Sequence, residues 1–155
     1  MKYQRGLTSI EFAICGAALM MVLFGCIEIS RAYYTGAMLS EGTRRAARLA
    51  AVCPINDPAI ANAVNFAGLS GFTSANVSVQ YLDASGTSLG ATPAVVGVYY
   101  ARVSVTGYTM SLSIPIIEPT VTFPPYAVTI PTESLGISVS TTGSPPTSTV
   151  VTTAC

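Results

Sequence analysis

Glu11 stands four residues after Leu7 and opens onto sixteen residues, 12–27, that carry no charge. A carboxylate in an apolar helix is disfavoured in lipid by a few kcal/mol, so it calls for a partner. Two chemistries fit. Thr8-Ser9-Ile10-Glu11 reads as S/T-x-x-E, a capping box in which Thr8 caps the helix and Glu11 reaches back to a backbone N–H. A carboxylate in the first turn also complements the helix dipole. The second chemistry begins at Gly6. Cleavage of the Gly6–Leu7 bond would give Leu7 a free α-amino group, largely protonated near neutral pH with a pKa of about 7.7–8.0. Glu11 lies one helical turn further on and would pair with that amine, in its own chain or in a neighbour. In a low-dielectric setting such a pair would enforce axial register between packed helices. Further along, Glu28 and Arg31 are three residues apart and face one another on the same helix.

Other chemistries are poorly supplied. Histidine is absent, which removes the commonest general base and metal ligand. No nucleophile–base pair can be assembled, no acidic cluster points to a metal, and no CxxC pair marks a zinc ribbon or redox site. The reading is therefore non-enzymatic, with no catalytic residue, cofactor or metal. Net charge is zero, but residues 1–53 hold six basic and three acidic groups, whereas Arg102 alone faces Asp57, Asp83, Glu118 and Glu133 thereafter. No basic patch interleaved with aromatics appears, so nucleic acid is not an expected partner, nor is a small-molecule substrate.

The elements that position these residues begin with one long helix. From Leu7 to Ile29 only Glu11 and Glu28 interrupt an apolar run, long enough to span a bilayer. Lys2 and Arg5 precede it, which places the N-terminus in the cytoplasm by the positive-inside rule and the remainder outside. Tyr33 and Tyr34 fall at the headgroup depth that aromatic rings favour. A cleaved secretory signal is the competing reading, but its apolar core is shorter and the first proline here is Pro54. The helical pattern continues to Val52. In its second half Leu39, Gly42, Ala46, Leu49, Ala50 and Cys53 make a stripe at spacings of three and four, opposite Glu41, Arg44, Arg45 and Arg48. With 9% charged and 50% hydrophobic residues, the composition suits a chain partly in lipid or covered by neighbours.

Asn56-Asp57-Pro58 signals a short second helix, reaching about Ala67. Three stretches then alternate with period two: 77–81, 99–106 and 109–114, with Gly107 placed for a tight hairpin between the last two. A further strand is possible over 126–130, in a region that prolines at 115, 119, 124, 125 and 131 keep irregular or at a sheet edge. Residues after Gly136 are rich in Ser, Thr, Gly and Pro and uncharged, so a flexible tail is expected. It ends in Cys155. In an oxidising compartment Cys53 and Cys155 are a candidate disulfide worth about 4–5 kcal/mol in the chain-entropy model, with free or intermolecular thiols as the alternative. The expected class is α+β: a long N-terminal helix, membrane-spanning then amphipathic, packed on a small antiparallel head with a flexible Ser/Thr-rich tail. Its expected divisions are 1–6 leader, 7–30 transmembrane helix, 31–53 amphipathic extension, 54–136 extracytoplasmic head and 137–155 tail.

Gly6 followed by Glu at the fifth position of the processed chain resembles type IV prepilins and pseudopilins. More narrowly, Arg5-Gly6-Leu7-Thr8-Ser9-Ile10-Glu11-Phe12-Ala13, the stretch Leu23 to Arg31, and Arg44-Arg45-Ala46-Ala47-Arg48 resemble the TadE-like family of the tight-adherence (Tad/Flp) pilus system. Residues 123–136 are similar less specifically. The resemblance implies a minor pseudopilin of the bacterial cytoplasmic membrane, processed between Gly6 and Leu7 by a prepilin peptidase, with Glu11 as assembly carboxylate. The implied partners are that peptidase, other pilins, the assembly platform and membrane lipid. The major subunits of such pili have almost no head and favour Tyr after the Glu, where this chain has Phe12. A role in assembly or priming is therefore implied rather than that of the main fibre subunit. A pseudopilin of a related secretion machine and an unprocessed, membrane-anchored adhesion module are the alternatives.

Overall fold

The computed structural model describes residues 7–65, 68–114, 119–142 and 147–155. One helix, α1 (Leu7–Val52), organises the rest. Its first half is bare: Ile10, Phe12, Ile14, Leu19 to Phe24, Ile27 and Ile29 are all exposed. Its second half is the spine of an α+β head. There Leu39, Thr43, Ala46, Ala47 and Ala50 are wholly buried, together with Cys53 just past the helix end. The expected stripe is thus the packed face, but it is wider than the pattern indicated. Thr43 and Ala47 join it because α1 is covered on two sides, by a second helix and by a sheet. Thr43 remains satisfied there, its hydroxyl donating to the Leu39 carbonyl at 2.7 Å.

The second helix, α2 (Pro58–Val64), starts where the sequence signals it. Asp57 accepts from the Ala59 N–H at 2.9 Å, and Pro58 occupies the first turn where its missing donor costs nothing. The helix ends at Val64, and Ala67 lies outside the described residues. Ile60 and Val64 turn inward onto α1. A single 3-10 turn, Ser74–Asn76, leads into the strands, and the Asn76 amide holds the Thr106 carbonyl at 3.2 Å.

Strands β1 (Val77–Leu82) and β2 (Tyr100–Val105) pair antiparallel. Strand β3 (Thr109–Ser111) pairs with β4 (Thr120–Thr122), and β5 (Tyr126–Pro131) returns to the free edge of β2. The main sheet therefore has the order β1-β2-β5. Ala101, Val103 and Val105 of β2 are buried beneath α1, as their alternation requires. The expected hairpin across Gly107 does not form: β1 and β5 occupy both edges of β2, so the chain leaves the sheet at Gly107 (φ +69°) and β3 pairs elsewhere. Phe72, Tyr108 and Phe123 stack in a tilted row, with centroids 5.8 and 5.7 Å apart, and tie this second, two-stranded sheet to the head.

The C-terminal region also departs from expectation. It is not a flexible tail, because β6 (Ile137–Thr142) and β7 (Thr147–Thr152) pair antiparallel along their full length. The hairpin is fixed at its base. Thr153 donates to the Gly136 carbonyl at 2.8 Å, and Cys155 is bonded to Cys53 at the end of α1.

Candidate functional site

The chemistry-bearing residues gather at three levels along α1. At the lowest, α1 is already helical at Leu7, while Gly6 lies outside the described residues. Thr8 is therefore inside the helix rather than at a cap position. No hydrogen bond joins it to Glu11 among the described residues, so the capping box is not formed. Glu11 itself is exposed, without a hydrogen-bond or ionic partner among the described residues. It projects from an uncovered apolar surface, with Ile10 58%, Phe12 80% and Ile14 64% exposed around it. Cys15 and Cys26 on the same half are free and exposed.

The middle level is where α1 meets the head. Arg31 Nη1 donates to both oxygens of Glu28, at 2.7 and 2.8 Å. The Glu28 side chain is almost fully buried and that of Arg31 is half exposed. A neutral pair thus closes the apolar run at its upper end. Just above it Thr35 donates to the Met110 sulfur at 3.5 Å. Tyr108 donates to the Ser70 carbonyl at 2.8 Å; burial pushes its phenol up, and the nearby Arg31 charge opposes that shift.

The upper level is the end of α1. A helix leaves its last carbonyls without intrahelical partners. Here Glu133 donates its backbone N–H to the Ala51 carbonyl at 2.9 Å, and Gly136 donates to Val52 at 2.5 Å. The Ser134 hydroxyl adds a bond to the Val52 carbonyl at 3.1 Å. Leu135 and Gly136 both take positive φ to make this wrap, and Leu135 is buried by it. Cys53 and Cys155 are joined here with Cα atoms 5.7 Å apart. Asp57 uses both carboxylate oxygens at this point: one caps α2, and the other accepts from the Cys155 N–H at 3.0 Å. Tyr81 sits below, buried, and accepts from the Asn56 N–H at 3.4 Å; burial raises its phenol pKa, and the Asp57 charge adds to that.

These levels are far apart, so the structure does not assemble them into one catalytic pocket. Among the described residues no group of three or more His, Cys, Asp or Glu could hold a metal. The wrapping role of 133–136 and the second bond of Asp57 had no signal in sequence, because each partner is distant along the chain.

A bare apolar helix carrying a small disulfide-closed α+β head defines a helix-anchored head protein, and α1 is long and apolar enough to cross a membrane. Residues 6–48 match the model of the TadE-like protein family. The match suggests involvement in Tad pilus systems. No curated protein and no solved structure matches the chain.

Proposed function

We propose that this chain is a minor pseudopilin-like membrane protein that assembles or primes a Tad-type adhesive pilus. One observation carries the reading. Glu11 lies on an exposed apolar helix, has no partner among the described residues and falls inside the segment that matches the TadE-like family model; on this reading its counter-charge comes from beyond them. A peptidase cut between Gly6 and Leu7 supplies that charge as the new α-amino group of this or a neighbouring subunit. Residues 7–30 then cross the bacterial cytoplasmic membrane, N-terminus inside, with Lys2 and Arg5 as the cytoplasmic leader. Residues 31–53 extend the helix as the spine of the head, 54–136 form the extracytoplasmic head, and 137–155 form its terminal hairpin. The Glu28–Arg31 pair marks the outer membrane edge, and the Cys53–Cys155 bridge suits the oxidising compartment beyond it. The role is structural, without a catalytic step, and the partners are the prepilin peptidase, other pilins, the assembly platform and lipid.

N-terminal sequencing of the membrane-extracted protein tests this. A chain beginning at Leu7 is the expected result. An intact Met1 would remove the processing step and leave an anchored envelope module, while a cut after Ala32 or later would mark a secretory signal.

A further inference from the structure

Near its membrane-proximal end the head packs closely against α1 at Gly36. A Cβ placed on Gly36 would meet the Tyr126 hydroxyl at 3.1 Å and the Phe123 ring at 3.5 Å. Beside this contact runs an apolar groove lined by Tyr33, Ala37, Val121, Phe123, Pro124 and Tyr126. Tyr33 is 80% exposed at its mouth. The surrounding sequence is nearly free of charge, with Glu118 the single charged residue from Gly107 to Thr132.

The helix fixes how high this groove stands. From Ile29, where the apolar run ends, Tyr33 lies about 6 Å and Ala37 about 12 Å further along the axis. A hydrocarbon core of about 30 Å is flanked on each side by roughly 5–8 Å of headgroup layer. With Ile29 at the edge of the hydrocarbon core, the groove opens within that layer at Tyr33 and closes beyond it at Ala37. The far end of the head is fixed in the same way. Strand β5 and the two residues after it run beside α1 from Tyr126, next to Gly36, to Glu133, bonded to Ala51. The helix rises about 22 Å over its interval and the strand covers about 23 Å over its own. Thr132 pairs with Tyr99, so the loop bearing Val96, which is 93% exposed, belongs to the end away from the membrane.

We propose that the head is seated on the bilayer, with the Tyr33 mouth of the groove in the headgroup layer against the glycerol region of a phospholipid. This rests on the membrane-spanning reading of α1 and adds to it an orientation of the head. The lipid surface is favoured as occupant because the groove continues directly from the bare apolar half of α1. Aromatic side chains with polar tips, here Tyr33 and Tyr126, suit that boundary.

The chain contains no tryptophan, so single introduced indoles report on their own positions. The full chain is reconstituted in phosphatidylcholine vesicles containing lipids brominated near the glycerol end or near the acyl terminus. Thr122→Trp and Pro124→Trp probe two exposed positions of the groove, Val96→Trp the far loop and Leu19→Trp the span; retention of the Cys53–Cys155 bridge checks folding. The expected result is loss of emission from Thr122→Trp and Pro124→Trp with the shallow quencher, none from Val96→Trp, and loss from Leu19→Trp with the deep quencher. If the two groove probes stay as bright as Val96→Trp while Leu19→Trp is quenched, the seating is wrong and the groove belongs to another protein. If Leu19→Trp is also unquenched, the spanning reading fails and the seating with it.

Discussion

Gly42 of α1 lies directly against the carbonyl of Val64, the last residue of α2, with no space for a Cβ between them. The close crossing lets a two-turn helix seal one flank of α1 and bury Ile60 and Val64. Gly42→Ala would gain about 1 kcal/mol of helix propensity. The colliding atom is backbone, however, so overpacking of about 1–3 kcal/mol outweighs that gain. Chemical denaturation should show a lower midpoint for Gly42→Ala. Gly16→Ala and Gly25→Ala, where nothing lies within 4 Å, should leave the midpoint of the isolated chain unchanged or slightly higher.

The bridge between Cys53 and Cys155 spans 102 residues and closes nearly the whole head. A loop of that size is worth about 4–5 kcal/mol in the chain-entropy model, a large part of the stability of a small domain. Cys155→Ser should lower the denaturation midpoint, Cys53→Ser should lower it at least as far because Cys53 is wholly buried, and a reductant should reproduce the Cys155→Ser effect in the wild type. Limited proteolysis should then cut first between Gly136 and Cys155. Among the described residues, backbone bonds at the hairpin's base and the bond from Cys155 to Asp57 still tie it to the head.

Asp83 organises the turn after β1. Its carboxylate accepts from the Ser85 hydroxyl at 2.6 Å, from the Ser85 N–H at 2.8 Å and from the Thr87 N–H at 2.9 Å. Those bonds, the Ser85 hydroxyl first, favour the charged form and hold the carboxyl below its ordinary value of 3.8. A depressed folded pKa contributes stability that is present above the unfolded value and lost as pH falls through the folded one. The Ser85 and Thr87 amide resonances should therefore titrate together with a midpoint below 3.8, and Asp83→Asn should abolish that titration.

The parts of the fold legible in sequence are those with local causes. The stripe from Leu39 to Cys53, the Asp57-Pro58 helix start and the alternation of Val77 to Tyr81 and Ala101 to Val105 each follow from neighbouring residues. What escaped depends on distant partners. Strand β4 is three residues long between prolines, and it forms because β3 offers Met110 opposite Val121. The β6–β7 hairpin reads as a polar tail because its alignment comes from Gly136, Thr153 and the bridge to Cys53. Glu11 was legible as an anomaly but not as a cap, since α1 already includes Thr8. The thiols of Cys15 and Cys26, free and exposed on the bare half, play no part in the function proposed here.

Glu11→Gln separates charge from shape at the lowest level of α1. The amide has nearly the same volume, and Glu11 has no partner among the described residues, so the head should fold with an unchanged midpoint. Insertion should persist, because the substitution only replaces a carboxyl with an amide in the apolar run. Processing should also persist, since Gly6 and Leu7 are intact. What the variant lacks is the counter-charge for the amine of a processed neighbour, and an amine left unpaired in low dielectric is costly. Piliation should fall sharply in Glu11→Gln, while Glu11→Asp, which keeps the charge with a shorter reach, should retain part of it. Piliation is counted by electron microscopy, with the membrane-extracted protein sequenced from its N-terminus in parallel. Normal piliation in Glu11→Gln, with Leu7 still the first residue, would show that the carboxylate has no part in assembly.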